Sequence, residues 1–192
     1  MNLRSLQMRS NIDEKNTIVV VIDLECNQPS SAIIELGYAI GDLATGEINL
    51  KKSIVINPKE ELAESIIELT GISQKQVDQG TTLQHAYDEF LKDVRQAKAL
   101  TIIHQWGIWD AQLLKNQLND PEAWKFGRRW IDIKAIAQTS AIINKQSPIA
   151  GLAKVCGRFE LDIDKKKAHS AGYDADMTFQ LYVKLAGMLK KQ

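Results

Sequence analysis

Two acids stand at the end of an apolar run in Val19-Val-Val-Ile-Asp23-Leu-Glu25. In a strand, residues two apart point the same way, so both carboxylates project from one face, which Val19 and Val21 share. Ligands of α/β sheets usually sit at the carboxyl ends of their strands. Asp110 has Leu113, Leu114 and Leu118 at i+3, i+4 and i+8, which puts it at the head of a buried helical stripe. Asp174 repeats the arrangement with Met177, Leu181, Leu185 and Met188. Each acid also has a plainer explanation. The strand pair could have emerged into solvent, and the helical pair could complement the helix macrodipole. A dipole-complementing acid, however, has no reason to choose the buried face.

Carboxylates gathered from three elements repel one another unless a cation neutralises them. With no thiolate ligands among them, they select hard cations, Mg²⁺ or Mn²⁺. Two such ions about 3.5–4 Å apart can activate a water and stabilise the leaving oxygen in phosphodiester cleavage. A general base is then needed. His169, in Ala168-His-Ser-Ala-Gly-Tyr-Asp174, lies in a loop just before the helix that carries Asp174. His104, at the end of a buried run, is the alternative base, and His85 falls on the polar side of a helix.

The elements that must hold these groups follow from periodicity. Residues 17–24 read as a strand buried on both faces, and residues 31–41 and 47–56 as a hairpin turning at Gly46. Leu83, Ala86, Tyr87, Phe90, Leu91 and Val94 recur at helical spacing behind a Thr81/Gln84 capping box. Residues 99–104 form a second buried strand, and residues 109–118 a helix ended by Asn119-Asp120-Pro121. A short strand at 130–133 leads into a helix over 134–143. Ser147 and Pro148 open a helix to about Cys156. The last helix opens at Tyr173 or Asp174 and runs to about Lys190. The order predicts one α/β domain, a mixed sheet flanked by helices over residues 17–190, preceded by a polar extension, residues 1–16.

Composition bounds the function. The chain has 192 residues, 44% hydrophobic and 25% charged, with 24 basic and 24 acidic side chains. A net charge of zero argues against a protein that coats DNA, but not against one that grips a few phosphates. Two cysteines 130 positions apart make no disulfide framework or zinc site. The absence of a membrane-length apolar run predicts a soluble, cytoplasmic protein with no membrane partner. Nothing near Cys26 would activate it as a nucleophile. Lys165-Lys-Lys167 could contact phosphate or simply be a solvated loop, and Arg128-Arg129 is a weaker candidate. Trp106 and Trp109 could stack on bases, although aromatics flanking buried elements are more often core.

These motifs resemble the DEDDh subgroup of 3′→5′ exonucleases, a ribonuclease-H-like group that includes polymerase proofreading subunits. Asp23-Leu-Glu25 is similar to its first motif, Asp110 to its second, and His169 with Asp174 to its third. Asp23-Leu-Glu-Cys26, Ile33-Ile-Glu35, the segment from Glu68 to Val77, Trp109-Asp110 and His169-Ser-Ala-Gly-Tyr-Asp174 resemble the branch of the histone-mRNA 3′ exonuclease and its bacterial relatives. Gln105-Trp-Gly-Ile-Trp109 stands where the commoner form has an Asn before its aromatic-Asp pair.

The resemblance implies a ribonuclease-H-like fold and removal of nucleoside 5′-monophosphates from single-stranded 3′ ends, with RNA slightly favoured over DNA. It implies that Asp23, Glu25 and Asp174 hold one of two Mg²⁺ or Mn²⁺ ions, that Asp23 bridges to a second supported by Asp110, and that His169 is the base. It further implies substrate contacts at Leu69, Thr70, Gly71 and Ile72, of which Leu69 and Ile72 are equally suited to a core. Leu24, Cys26, Trp109 and Lys167, beside the motifs, are further candidate contacts. Two rival readings remain: a catalytically silent nucleic-acid-binding module of the same fold, and a carboxylate-metal phosphatase of small esters.

Overall fold

The computed structural model describes residues 16–118 and 129–189. Residues 1–15 of the polar extension, the Asn119-Asp120-Pro121 stop, Arg128 and Lys190 lie outside them. Among the described residues, five strands form one mixed sheet in the order β3-β2-β1-β4-β5. β1 (Ile18–Cys26) is its centre. It pairs antiparallel with β2 (Ile33–Asp42), which pairs antiparallel with β3 (Ile48–Val55). On its other side β1 runs parallel to β4 (Ile103–Gln105), and β4 parallel to β5 (Trp130–Asp132).

β1 is buried on both faces, and its alternation decides what each face meets. Val20 and Ile22 pack with α3 (Leu83–Gln96) and α4 (Asp110–Gln117), against Tyr87, Phe90 and Leu114. Val19 and Val21 pack with α7 (Ala171–Leu189), against Ala175 and Phe179. Two-residue periodicity therefore turns Asp23 and Glu25 toward α7. The opposite side of α7 buries Met177, Leu181 and Leu185 with α5 (Ile133–Ile143) and α6 (Leu152–Arg158). Met188, expected to continue that stripe, is exposed instead.

Several expected boundaries shift, each for a local reason. The cap of α3 is Thr82, whose hydroxyl accepts the His85 N–H at 3.2 Å. Thr81 instead extends the sheet edge by bonding Val55 and Asn57 through its backbone. A true capping box lies upstream, Ser73 with Gln76, at the start of α2 (Gln74–Asp78). This helix and α1 (Glu64–Thr70) are too short for periodicity to reveal. Residues 147–150 are not helical. Trp106 donates its indole N–H to the Ala150 carbonyl at 3.2 Å, while Ile149 packs into the α5–α7 core. The helix begins only after Gly151. Among the described residues no helix is long and apolar enough to cross a membrane.

His104 is 2% exposed in β4, with Nδ1 3.1 Å from the Val20 carbonyl and its ring beside Tyr182. Burial pushes its pKa down to about 4, against the opposing pull of the Val20 and Ile102 carbonyls. This makes it a neutral core residue, not an alternative base. The unfolded chain takes up that proton below about pH 6.5, while the folded chain does so only near pH 4. The stability this ring contributes is therefore whole above about pH 6.5 and declines as pH falls toward 4, by about 3 kcal/mol in all. We expect the stability advantage of wild type over His104→Asn in urea unfolding to shrink by about 2 kcal/mol between pH 7 and pH 4.5. An advantage independent of pH would show that the buried ring accepts a proton freely.

Candidate active site

The carboxyl end of β1, the head of α4 and the head of α7 meet at one end of the sheet. Asp23 and Glu25 come from β1, Asp110 from the first turn of α4, and Asp174 from the first turn of α7. Gln105, fully buried at the end of β4, fixes α4. Its side-chain carbonyl accepts the Ala111 N–H at 2.8 Å and its amide donates to the Gly107 carbonyl at 2.9 Å. The stretch that departs from the commoner second motif thus begins with a residue that positions the Asp110 helix.

α7 begins at Ala171, earlier than periodicity predicts, because two side chains distant in sequence receive its first N–H groups. Glu35 Oε2 accepts from Ala171 N at 2.7 Å, and Ser53 Oγ from Gly172 N at 2.9 Å. β2 carries Gly37 at the contact, where a Cβ would overlap the backbone of Ala171 and Gly172. His169 takes a left-handed backbone, φ 65°, costing on the order of 1 kcal/mol, and its N–H donates to Asp174 Oδ2 at 3.1 Å. Donor atoms of Glu25, His169 and Asp174 all lie within 4.8 Å of one another, a spacing that could hold a metal ion.

The electrostatics are those of buried acids that repel one another at close range. Burial raises the Asp23 pKa well above the carboxylate range, and the charges of Asp110, Glu25, Asp174 and Glu35 add to it. Glu25 is raised to about 8 by burial and then by Asp174, Glu35 and Asp110. Burial lifts Asp110 to about 7, against the pull of its own and the Leu24 backbone N–H. Asp174 is also raised by burial, with the His169 N–H opposing. An all-oxygen donor set of mutually repelling acids beside one imidazole fits a hard divalent cation.

The expected substrate residues separate into groups. Trp109 is 73% exposed beside Asp110, and Leu69 is 47% exposed on α1, so both offer free apolar surface. Ile72 does not: it is buried with Ile34, Leu62, Ile66 and Val77. The Thr70 hydroxyl donates to the Ile66 carbonyl, and Gly71 is the left-handed cap of α1, φ 72°. Leu24 and Cys26 are partly buried against the α3–α4 core, with the Cys26 thiol pushed up to about 12. Lys167 is exposed and pairs with Asp164 at 3.5 Å. Trp106 packs inward, Arg129 is exposed, and His85 is exposed on α3. Glu35 and Gln105 had no role assigned from sequence. The available signal was a charged or amide side chain inside a run otherwise buried on both faces.

Strand order, helix placement and clustered acids together define a ribonuclease-H-like α/β fold with a carboxylate site at one sheet end. The sequence profile of the RNase T exonuclease family matches residues 20–182, and the chain belongs to that family. It is 26% identical over 173 residues to ERI1 exoribonuclease 2 of Mus musculus, covering 72% of this chain and 24% of that protein. It is 23% identical over 192 residues to the PolC-type DNA polymerase III of Thermotoga petrophila, covering 98% of this chain and 13% of the relative. The chain thus spans about a quarter or less of these relatives. Among solved structures, the nuclease domain of 3′hExo, a DEDDh family member bound to rAMP, aligns with a TM-score of 0.73 at 20% identity, covering 92% and 94% of the two chains. Exonuclease X in complex with 5′ overhanging duplex DNA aligns with a TM-score of 0.63 at 14% identity, covering 88% and 92%.

A carboxyl with a raised folded-state pKa contributes stability that is present at low pH and lost as pH rises through that value. For Glu25 and Asp110 the loss runs up to about pH 8 and about pH 7 respectively. In EDTA, the melting temperature should therefore fall between pH 6.5 and pH 8.5. Saturating Mn²⁺ should remove most of that slope, because the cation replaces the protons. Asp174→Asn should melt higher than wild type in EDTA at pH 8.5. An apo protein insensitive to pH over this interval would mean that the acids do not repel as described.

Proposed function

We propose that the chain is a metal-dependent 3′→5′ exonuclease that hydrolyses the terminal phosphodiester of single-stranded nucleic acid, RNA in preference to DNA. The observation that carries this reading is the meeting of Asp23, Glu25, Asp110 and Asp174 with His169 at one sheet end, four raised carboxyls beside an imidazole. Asp23, Glu25 and Asp174 would hold one Mg²⁺ or Mn²⁺ ion, with Asp23 shared toward a second that Asp110 supports. When bound, such a pair supplies Lewis acidity to the attacking water and to the leaving oxygen.

The chain's own groups do the rest. An imidazole nitrogen of His169 takes a proton from the attacking water. The water oxygen bonds to phosphorus while the bond from phosphorus to the penultimate nucleotide's 3′ oxygen breaks. That oxygen leaves as the new 3′-hydroxyl, protonated from solvent, and a nucleoside 5′-monophosphate is released. The exposed faces of Trp109, the residue before Asp110, and of Leu69, on α1, are suited to the terminal base. Lys167, in the loop that carries His169, is suited to a backbone phosphate. The RNA preference draws support from relatives described as an exoribonuclease and as a 3′-exonuclease recognising a histone mRNA stem-loop. Exonuclease X and exonuclease I, described with DNA, keep DNA in the test.

A panel of 5′-labelled single- and double-stranded RNA and DNA, digested with Mg²⁺, Mn²⁺, Ca²⁺ or EDTA, tests the reading. A ladder shortening from the 3′ end is expected with Mg²⁺ or Mn²⁺, little turnover with Ca²⁺ and none in EDTA. Binding without cleavage under every condition would leave a silent module, and turnover of small esters alone would make the chain a phosphatase. His169→Ala should lose about 10²–10⁴-fold in rate and flatten the acidic limb of the pH profile, while Mn²⁺ affinity stays near wild type. Near-normal turnover with the acidic limb intact would remove His169 as base. Because stacking a base on an aromatic ring is worth about 1–3 kcal/mol, Trp109→Ala should raise KM about 5- to 100-fold with a smaller change in kcat. An unchanged KM would place the terminal base elsewhere.

A further inference from the structure

Glu35 is a buried acid, 5% exposed, in a strand that is otherwise almost entirely apolar. It lies directly opposite Glu25 across the antiparallel β1–β2 ladder, so the two side chains share a face. Like charges directly opposite each other destabilise a sheet, and burial increases that cost. Its carboxylate adds to the repulsion felt by both Asp23 and Glu25. An apolar residue would avoid the penalty, so the placement needs a reason that lies in what the side-chain oxygen holds.

It holds the head of α7. A helix leaves its first N–H groups without partners inside the helix. In α7 two of them, Ala171 and Gly172, are received by Glu35 Oε2 and Ser53 Oγ, from neighbouring strands. Gly37 lies two residues beyond Glu35 on the same face and clears the approach of the α7 backbone. The seat is therefore specified in position by two bonds and in depth by an absent side chain. Asp174 lies one turn beyond Ala171, and His169 two residues before it, tied to Asp174 by its own N–H. Two of the three donor groups that lie within 4.8 Å of one another thus ride on this one turn.

We propose that Glu35 and Ser53 are positioning residues that seat the first turn of α7, setting where Asp174 and His169 stand relative to Glu25 without ligating a metal themselves. The inference rests on the carboxylate site proposed above as a divalent-cation site. A helix head free to shift would separate donors contributed by different elements, and partners one shell outside a metal site are typically worth 10–100-fold in metal affinity or activity.

The test is a Mn²⁺ titration followed by the electron paramagnetic resonance signal of the free ion, with no substrate present, alongside kcat and KM on a labelled oligonucleotide. Glu35→Ala should weaken Mn²⁺ binding about 10- to 100-fold and lower kcat on a similar scale, with KM little changed. Glu35→Gln retains a carbonyl oxygen for the Ala171 N–H and should stay within about threefold of wild type in Mn²⁺ binding. Ser53→Ala should move in the same direction as Glu35→Ala by a few-fold. Wild-type Mn²⁺ binding by Glu35→Ala would overturn the proposal. A loss in Glu35→Gln as large as that in Glu35→Ala would also overturn it, by showing that charge, not the bond, matters. If Glu35→Ala fails to fold, Ser53→Ala decides, and wild-type Mn²⁺ binding there refutes the seat. A wild-type protein that binds Mn²⁺ but cleaves no oligonucleotide would refute the nuclease reading alone.

Discussion

The mutual repulsion of the acids at the carboxyl end of β1 is the constraint around which the molecule is arranged. Asp23, Glu25, Asp110 and Asp174 converge where burial already disfavours charge, and each raises the cost of the others. Left to relax, such groups would swing into solvent or pull their elements apart. The fold prevents this by carrying two of them on the central strand, which is bonded on both sides. The helices bearing the other two are fixed at their heads by side chains from the sheet, Gln105 for α4 and Glu35 with Ser53 for α7. The repulsion is thereby held within the fold, where a bound cation would relieve it.

The far face of the sheet supplies the rigidity this requires. Tyr38 donates to Asp93 at 2.6 Å, and Lys52 bridges Glu89 and Asp93, locking α3 to β2 and β3. Together with the edge-to-face pair of Tyr38 and Phe90, this makes the α3 side a fixed base. On the site side Lys51 pairs with Asp176, joining β3 to α7 just beyond its first turn. Polar groups on both faces thus join helix to sheet without entering the carboxylate cluster.

What the sequence made legible follows from the range of the interactions involved. The shared face of Asp23 and Glu25 and the apolar stripe of α3 are local periodicities and could be read directly. The three motif segments, separated by long stretches of chain, could be joined by their acids at the edges of buried faces and by the family resemblance, and the fold brings them together. The start of α7 could not be read, because its caps come from 136 and 119 residues away. The same holds for residues 147–150, which stay outside the helix and include Ala150, the acceptor of a bond from Trp106, 44 residues distant. Ile72 looked as suited to substrate as to core. Only the packing of α1 and α2 on Ile34 decides for the core.

Exposure, finally, divides the residues around the carboxylates into two groups. The carboxylates sit on elements fixed at their ends, while Trp109 and Leu69 stand on a helix cap and a short helix with free apolar surface. Surface of this kind can change residue type at little cost to the fold, since no core contact depends on it. A change at Glu35, Gly37 or Gln105 would instead disturb the seating of the α4 and α7 heads. The α1 and α4 margins are thus free to vary while the carboxylate frame is constrained. Relatives described with histone mRNA and with overhanging duplex DNA can therefore share this sheet and these helices at 14–20% identity.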